Sequence, residues 1–240
     1  MRPIMILQHE PDDPPGLVGT SLEELGLPFE VRRLDEGDAL PAYPEEASGV
    51  IVMGGSMHVH QGHVYRFLEA EKVYLRSLLK HCAPVWGICL GAQLLAVAAG
   101  GDVYKRKDAE IGWVTIEKTL DDPILHGIGS PFVAFEWHLY SFKLPPFGQL
   151  IAEREDGPQT FRAGGRAWGT QFHPEVDGQM IECWIDEERE YLDRHFPGLA
   201  ERLRVETPER LAANETLCRL LTRNFVLTSG LLSAEEESAG

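Results

Sequence analysis

The feature that most limits what this chain can fold into is Gly87-Ile88-Cys89-Leu90-Gly91, set between two apolar runs, 83–88 and 90–99. A short apolar run that passes at once into a second, longer one predicts a buried strand turning sharply into a helix. The glycines are needed because such a turn is tight and neighbouring backbone comes close. Strand, turn and helix with a cysteine at the apex is the form of a nucleophile elbow. At the helix N-terminus, unpaired N–H groups and the helix dipole favour the thiolate, the reactive form. Far downstream, His173-Pro174-Glu175 offers a base and a carboxylate to orient it. Cys89, His173 and Glu175 are therefore a candidate triad. The competing reading is that a lone cysteine among small residues is a packed core residue. The paired glycines at elbow spacing and the separate His-x-Glu segment weigh towards catalysis.

The rest of the N-terminal half alternates strands and helices. Strands are predicted at 4–8, 29–34, 49–53 and before Cys89, with helices at 20–26, 66–81 and after Cys89, closed by Gly100-Gly101. This alternation points to a parallel sheet wrapped by helices. Five short strands follow, at 113–118, 132–137, 150–153, 160–163 and 167–172, divided by turn clusters such as Asp121-Asp122-Pro123 and Gly164-Gly165. They read as antiparallel additions. Helices are expected again at 179–195 and 208–225. No internal repeat or linker divides the chain, so the expected organisation is one catalytic-type domain over 1–200, a C-terminal helical extension over 201–229 and an acidic, disordered tail over 230–240.

Composition narrows the function classes. The formal net charge of −16 makes nucleic acid or an anionic membrane surface a poor partner. No apolar stretch is long enough for a signal peptide or a membrane span. The four cysteines, Cys82, Cys89, Cys183 and Cys218, form no C-x-x-C pair and no metal-ligand spacing. Cys82 and Cys89 flank one strand, roughly 23 Å apart when extended, beyond disulfide reach. A reduced, cytoplasmic setting is expected.

Two further segments border the elbow. Gly54-Gly55 ends the third strand, and a backbone N–H at Gly55 together with that of Leu90 would make an oxyanion hole; alone, the glycine pair reads as a plain turn. His58-Val59-His60-Gln61-Gly62-His63 has a spacing like that of H-x-H-x-D-H metal sites, but Gly62 stands where aspartate is wanted. A polar loop beside the site is the favoured reading of His58, His60 and His63, and no metal is expected.

Residues 84–95, Glu110-Ile111-Gly112-Trp113, Glu136-Trp137-His138 and Gly169-Thr170-Gln171-Phe172-His173-Pro174-Glu175 resemble class I glutamine amidotransferases, above all the amidotransferase domain of GMP synthase and stand-alone relatives. The resemblance runs in order from about residue 4 to 175. It implies a flavodoxin-like α/β fold, with a mostly parallel sheet, antiparallel additions and a C-terminal helical extension. It also implies hydrolysis of the glutamine amide, or of a related γ-glutamyl amide, through a thioester on Cys89, with no cofactor. Gln93 matches a position that contacts glutamine; Gly54, His138 and Tyr140 are the other expected substrate contacts, with the wall near His138 and Tyr140 meeting the leaving group. His138-Leu139-Tyr140-Ser141 departs from the family's usual His-Gly-Asp. With no synthetase domain before Gly240, ammonia is expected to pass to a separate synthetase subunit or be released. The alternatives are a γ-glutamyl peptide hydrolase of the kind found in plants, and a non-catalytic or metal-binding relative.

Overall fold

A computed structural model describes residues 2–232. From 233 onward the expected acidic tail lies outside the described residues. In chain order the elements are β1 (Ile4–Gln8), α1 (Gly16–Glu24), β2 (Phe29–Arg33), β3 (Gly49–Val52), α2 (Phe67–Lys80), β4 (Val85–Ile88), α3 (Leu90–Ala98), β5 (Asp102–Lys118), β6 (Phe132–Lys143), β7 (Gln149–Arg154), β8 (Gly157–Gly164), β9 (Ala167–Thr170), α4 (Gly178–Glu187), α5 (Arg189–His195) and α6 (Leu199–Thr228). The strands form one sheet in the order β2-β1-β3-β4-β9-β8-β7-β5-β6. The first five are parallel, with Ile6 opposite Val31 and Ile51, and Trp86 opposite Ile51 and Trp168. The remaining pairings are antiparallel. This is the α/β architecture that the alternating runs predict.

Every residue of β1, β3, β4 and β9 is buried, the pattern of strands covered on both faces. The two-residue period of a strand divides them between two cores. Ile4, Ile6, Ile51 and Trp86 face Val18 and Leu22 of α1 and Leu217, Leu221 and Phe225 of α6. Met5, Leu7, Val50, Val52 and Val85 face Leu75 and Leu78 of α2 and Leu94 and Leu95 of α3. The helix expected as an extension thus packs onto the sheet, with Phe225 against Trp86 and Trp168 at 6.0 and 6.4 Å between ring centres.

Several elements differ from expectation. β9, read with its neighbours as an antiparallel addition, pairs antiparallel with β8 on one side but parallel with β4 on the other, so it completes the parallel half of the sheet. β5 runs 17 residues, because its first part pairs with β6 and its end with β7. Its charged opening, 102–110, carries a bulge between Lys105 and Glu110 that breaks the alternation a strand reading relies on. The helix expected over 179–195 is two helices, α4 and α5, meeting at Glu188. α6 begins at Leu199, nine residues before Pro208, which it carries in its interior. Proline there removes one helical hydrogen bond. Leu199 and Leu203, buried in a third cluster with Trp184 and Leu192, hold the preceding turns in place.

The elbow is tight in the way its glycines require. A Cβ on Gly91 would lie 2.2 Å from the Val52 carbonyl oxygen, and one on Gly87 2.4 Å from that of Gly91. Backbone cannot give way as a side chain can. Gly91→Ala is expected to cost about 3 kcal/mol, the upper range for forcing extra volume into a packed core. Gly129→Ala, whose nearest atom is 3.8 Å away, should stay within about 0.5 kcal/mol of wild type. Urea midpoints of the two variants check this.

Candidate active site

The sheet brings the site together at the carboxyl ends of its parallel strands, where open α/β sheets bind ligands. His9 follows β1, Gly54 and Gly55 follow β3, Cys89 follows β4, and Gln171 to Glu175 follow β9. Cys89 has φ 48° and ψ −104°, a left-handed backbone that non-glycine residues seldom adopt. Three hydrogen bonds hold it there: its N–H donates to Thr170 O at 2.8 Å, its carbonyl accepts from Gln93 N at 3.0 Å, and Gly91 N donates to Met53 O at 3.1 Å. Cys89 is 5% exposed, with Gln171 Nε2 donating to Sγ at 3.6 Å.

His173 is anchored through its backbone, N–H to Phe135 O at 2.8 Å, and its ring meets Trp184 edge-on at 5.0 Å. Nδ1 lies 2.7 Å from Oε1 of the fully buried Glu175. Nε2 has no hydrogen-bond partner among the described residues. Burial works to lower the His173 pKa, but the charges at Cys89 and Glu175 outweigh it and hold the ring well above its ordinary value. Helix α6 fixes the backbone between them: Asn214 Nδ2 donates to Pro174 O at 3.1 Å and to Val176 O at 2.9 Å. α1 ties on from the other side, with Leu17 N donating to Glu175 O at 2.8 Å.

Sequence reasoning missed His9, Glu71 and Asp13. His9 Nδ1 lies 2.6 Å from Gly54 O, and Nε2 lies 3.0–3.1 Å from the Glu71 carboxylate, all without solvent. Both ring nitrogens face acceptors, so the ring is an imidazolium. Burial works against that charge, but Glu71 overrides it and raises the pKa to about 9. In a trans peptide the carbonyl and the next N–H point opposite ways. Drawing the Gly54 carbonyl to His9 therefore turns the Gly55 N–H away from it. Gly55 itself abuts Leu90, whose Cδ2 would lie 3.1 Å from an added Cβ. The Leu90 N–H, first in α3, is among those a helix leaves without an internal acceptor. Asp13 sits against Gly54, with Oδ2 2.2 Å from where a Cβ would stand, and it is 2% exposed. The readable signal for His9 and Asp13 was their place just past the end of the first buried strand; Glu71, in mid-helix, gave none.

Two cavities meet at Cys89. The larger, about 840 Å³, is lined by Leu90, Gln93, His138 and Tyr140 among others. Gln93 Nε2 donates to Tyr140 O at 2.9 Å, and the Tyr140 ring stacks on His58 at 4.6 Å. His138 Nε2 lies 2.7 Å from Glu136 and 3.1 Å from Glu110; burial opposes its charge, and these carboxylates raise its pKa to about 9. The smaller, about 450 Å³, is lined by His173, Asp13 and four further carboxylates. Gly55, Ser56, Cys89, Trp137 and Glu188 line both. Two buried groups bring three ligand-type atoms within 4.8 Å of one another, Asp13-His173-Glu175 and Glu110-Glu136-His138. Each histidine is already paired to a carboxylate, and Glu110 also meets Arg106 and Arg154. His58 instead accepts from the His60 N–H at 3.3 Å, within the loop after Gly55.

The buried imidazolium pairs give stability a definite pH dependence. A raised pKa means the contribution is fully present below the ordinary value of 6.5 and is lost as pH rises through about 9. The wild-type urea midpoint should therefore fall across this window. Glu71→Gln should lower the stability by about 3 kcal/mol at pH 6.5 and make the subsequent fall shallower, leaving the part due to His138 and His173. An unchanged slope in Glu71→Gln would show that His9 is not held as a cation.

Comparison with known proteins adds an independent line. The family model for glutamine amidotransferase class-I matches residues 17–182. The chain is 28% identical over 191 residues to the glutamine amidotransferase-like protein YfeJ of Salmonella typhimurium, covering 77% of this chain and 80% of that one. It is 34% identical over 164 residues to a subunit of the glutamine-hydrolyzing GMP synthase of Ignicoccus hospitalis, covering 67% and 82%. It also matches longer GMP synthases, of which it spans about a third. The crystal structure of a glutamine amidotransferase from Thermotoga maritima superposes with a TM-score of 0.86 at 28% identity, covering 94% of this chain and 98% of that one. With more than half of its length matched by that model, this chain belongs to the class I glutamine amidotransferase family.

Proposed function

We propose that this protein hydrolyses the side-chain amide of glutamine, or a related γ-glutamyl amide, through a thioester on Cys89. The observation that carries this reading is a thiol held at a strained elbow beside a histidine whose far nitrogen is bound to a buried carboxylate. Sγ of Cys89 attacks the amide carbon. The Gly55 and Leu90 N–H groups receive the oxyanion, with His9 and Glu71 orienting the Gly55 peptide. His173, protonated at Nε2, gives its proton to the departing nitrogen. It then takes one from water, which opens the thioester. Glu175 fixes the ring and stabilises its cation. Gln93 and the wall formed by His138 and Tyr140 take the γ-glutamyl group in the larger cavity.

The relatives that are separate GMP synthase subunits support a version in which ammonia passes to a synthetase on another chain. One observation favours the second version, hydrolysis of a substituted γ-glutamyl amide: two adjoining cavities open at Cys89, so a substituent on the amide nitrogen has space beyond that taken by the γ-glutamyl group. A reduced, cytoplasmic setting fits four free cysteines. Among the described residues no helix is long and apolar enough to cross a membrane.

Cys89→Ser should keep its fold and lose activity by roughly 10³-fold or more, since an alcohol forms no comparable anion at neutral pH. Mass spectrometry after an electrophilic glutamine analogue should find one adduct, on Cys89. An adduct on Cys82, Cys183 or Cys218 instead overturns the assignment.

His173→Ala should match the Cys89 loss, because members of a cooperating set fail together. Glu175→Gln should be milder, about 10²-fold, since the base remains but its orientation and cation are less well held. Both are read as kcat/KM for glutamine. Near-wild-type values in both would leave His-Pro-Glu a structural segment only.

A further inference from the structure

The two cavities at Cys89 differ in chemistry, and the position of His173 tells which does what. A general acid must face the group that leaves. His173 lines the smaller cavity and not the larger one. The sequence places the leaving group at the His138 and Tyr140 wall, but these residues share the larger cavity with Gln93. On the proposed mechanism, the departing amine therefore enters the smaller cavity.

That cavity is lined by Glu10, Asp12, Asp13 and Glu187, none of which lines the larger one, and by Glu188, which borders both; among the described residues no lysine or arginine lines either. Exposed acidic residues are commonly just a solvated face, and Glu187 and Glu188 alone would mean no more than that. Asp13 is different: it is 2% exposed, and its Oδ1 has no hydrogen-bond partner among the described residues. Glu10 is set in place, its carboxylate accepting from Ser56 N at 2.5 Å and Ser56 Oγ at 2.6 Å. Trp184, and Trp137 on the border with the larger cavity, 5.8 Å apart between ring centres, add aromatic rings, which attract cations. Burial first, and neighbouring carboxylates next, push up the pKa values of Glu10, Asp13 and Glu187. A bound cation would relieve that mutual repulsion. Ammonia brings one nitrogen to this cavity; an amine with a second, charged nitrogen brings a cation to its carboxylates as well.

We propose that the smaller cavity receives a leaving amine that carries a second, positively charged nitrogen, so that the substrate is a γ-glutamyl amide of a diamine or polyamine. This rests on the thioester reading above. The Sγ–carbon bond forms as the carbon–nitrogen bond breaks. The electron pair stays on nitrogen, which takes the His173 proton, and the amine departs between the carboxylates. Water then splits the thioester, giving glutamate and restoring the thiol.

The test compares kcat/KM for γ-glutamylputrescine, for the γ-glutamyl amide of n-pentylamine, which has a methyl group in place of the terminal ammonium, for the γ-glutamyl amide of 5-aminopentanoate, and for glutamine. The cationic amide should exceed the neutral one at least tenfold, and the anionic one should be poorest. The cation-to-neutral ratio should shrink with added salt, and it should fall at least threefold in Asp12→Asn and in Glu187→Gln. Equal rates for the cationic and neutral amides, or a ratio unmoved in both variants, overturn the proposal while leaving the hydrolase reading intact if glutamine is turned over and Cys89 is labelled. No turnover of any amide, with no adduct on Cys89, removes the hydrolase reading and this proposal together.

Discussion

The rest of the structure depends on one close approach of backbone to backbone. Where β4 becomes α3, Gly91 lies against the Val52 carbonyl and Gly87 against that of Gly91. With no side chains between them, the helix seats directly on the central strands. That seating leaves Cys89 to absorb the turn in its own dihedral angles. It also brings the Leu90 side chain against Gly55, whose added Cβ would lie 3.1 Å from Leu90 Cδ2. Wider spacing here would separate the thiol from the strand ends on either side.

Around that contact, charge is organised by pairing rather than by solvent. His9 with Glu71, His138 with Glu136 and Glu110, and His173 with Glu175 are each a buried imidazole against buried carboxylate. Buried charges persist only when paired and hydrogen-bonded. The three pairs divide their tasks by position: one turns a peptide, one walls a cavity, and one lies against the thiol. Asp13 departs from the pattern: it lies beside the His173–Glu175 pair, and burial first and the Glu175 charge next push its pKa up.

The parallel half of the sheet was legible because strands buried on both faces appear as unbroken apolar runs, as in Val50-Ile51-Val52-Met53. The elbow was legible because its glycines answer a local steric need. Why Cys89, His173 and Glu175 are neighbours was not legible in the strand pattern: the residues of β9 read as an antiparallel addition, and it is the parallel pairing of β9 with β4 that sets the two segments side by side. Less could be read where partners are remote. Nothing near His9 in the sequence announces Glu71, 62 residues away. The opening of β5 looks like a charged loop because its bulge breaks the two-residue period. The first turns of α6 were hidden by Pro208, which reads as a helix start although tertiary contacts carry the helix through it.

Asn214 reaches from α6 to grip the backbone on both sides of Glu175, yet it lies 32 positions past residue 182, where the family match ends. The stretch matched by the family model and the stretch that keeps the site in shape are thus not the same. A segment cut at residue 182, or grafted onto another protein at that point, would carry Cys89, His173 and Glu175 intact. It would lack the amide clamp on Pro174 and Val176 and the cover over Trp86 and Trp168. For anyone trimming or transplanting this chain, the usable unit is set by the clamp and not by the motif.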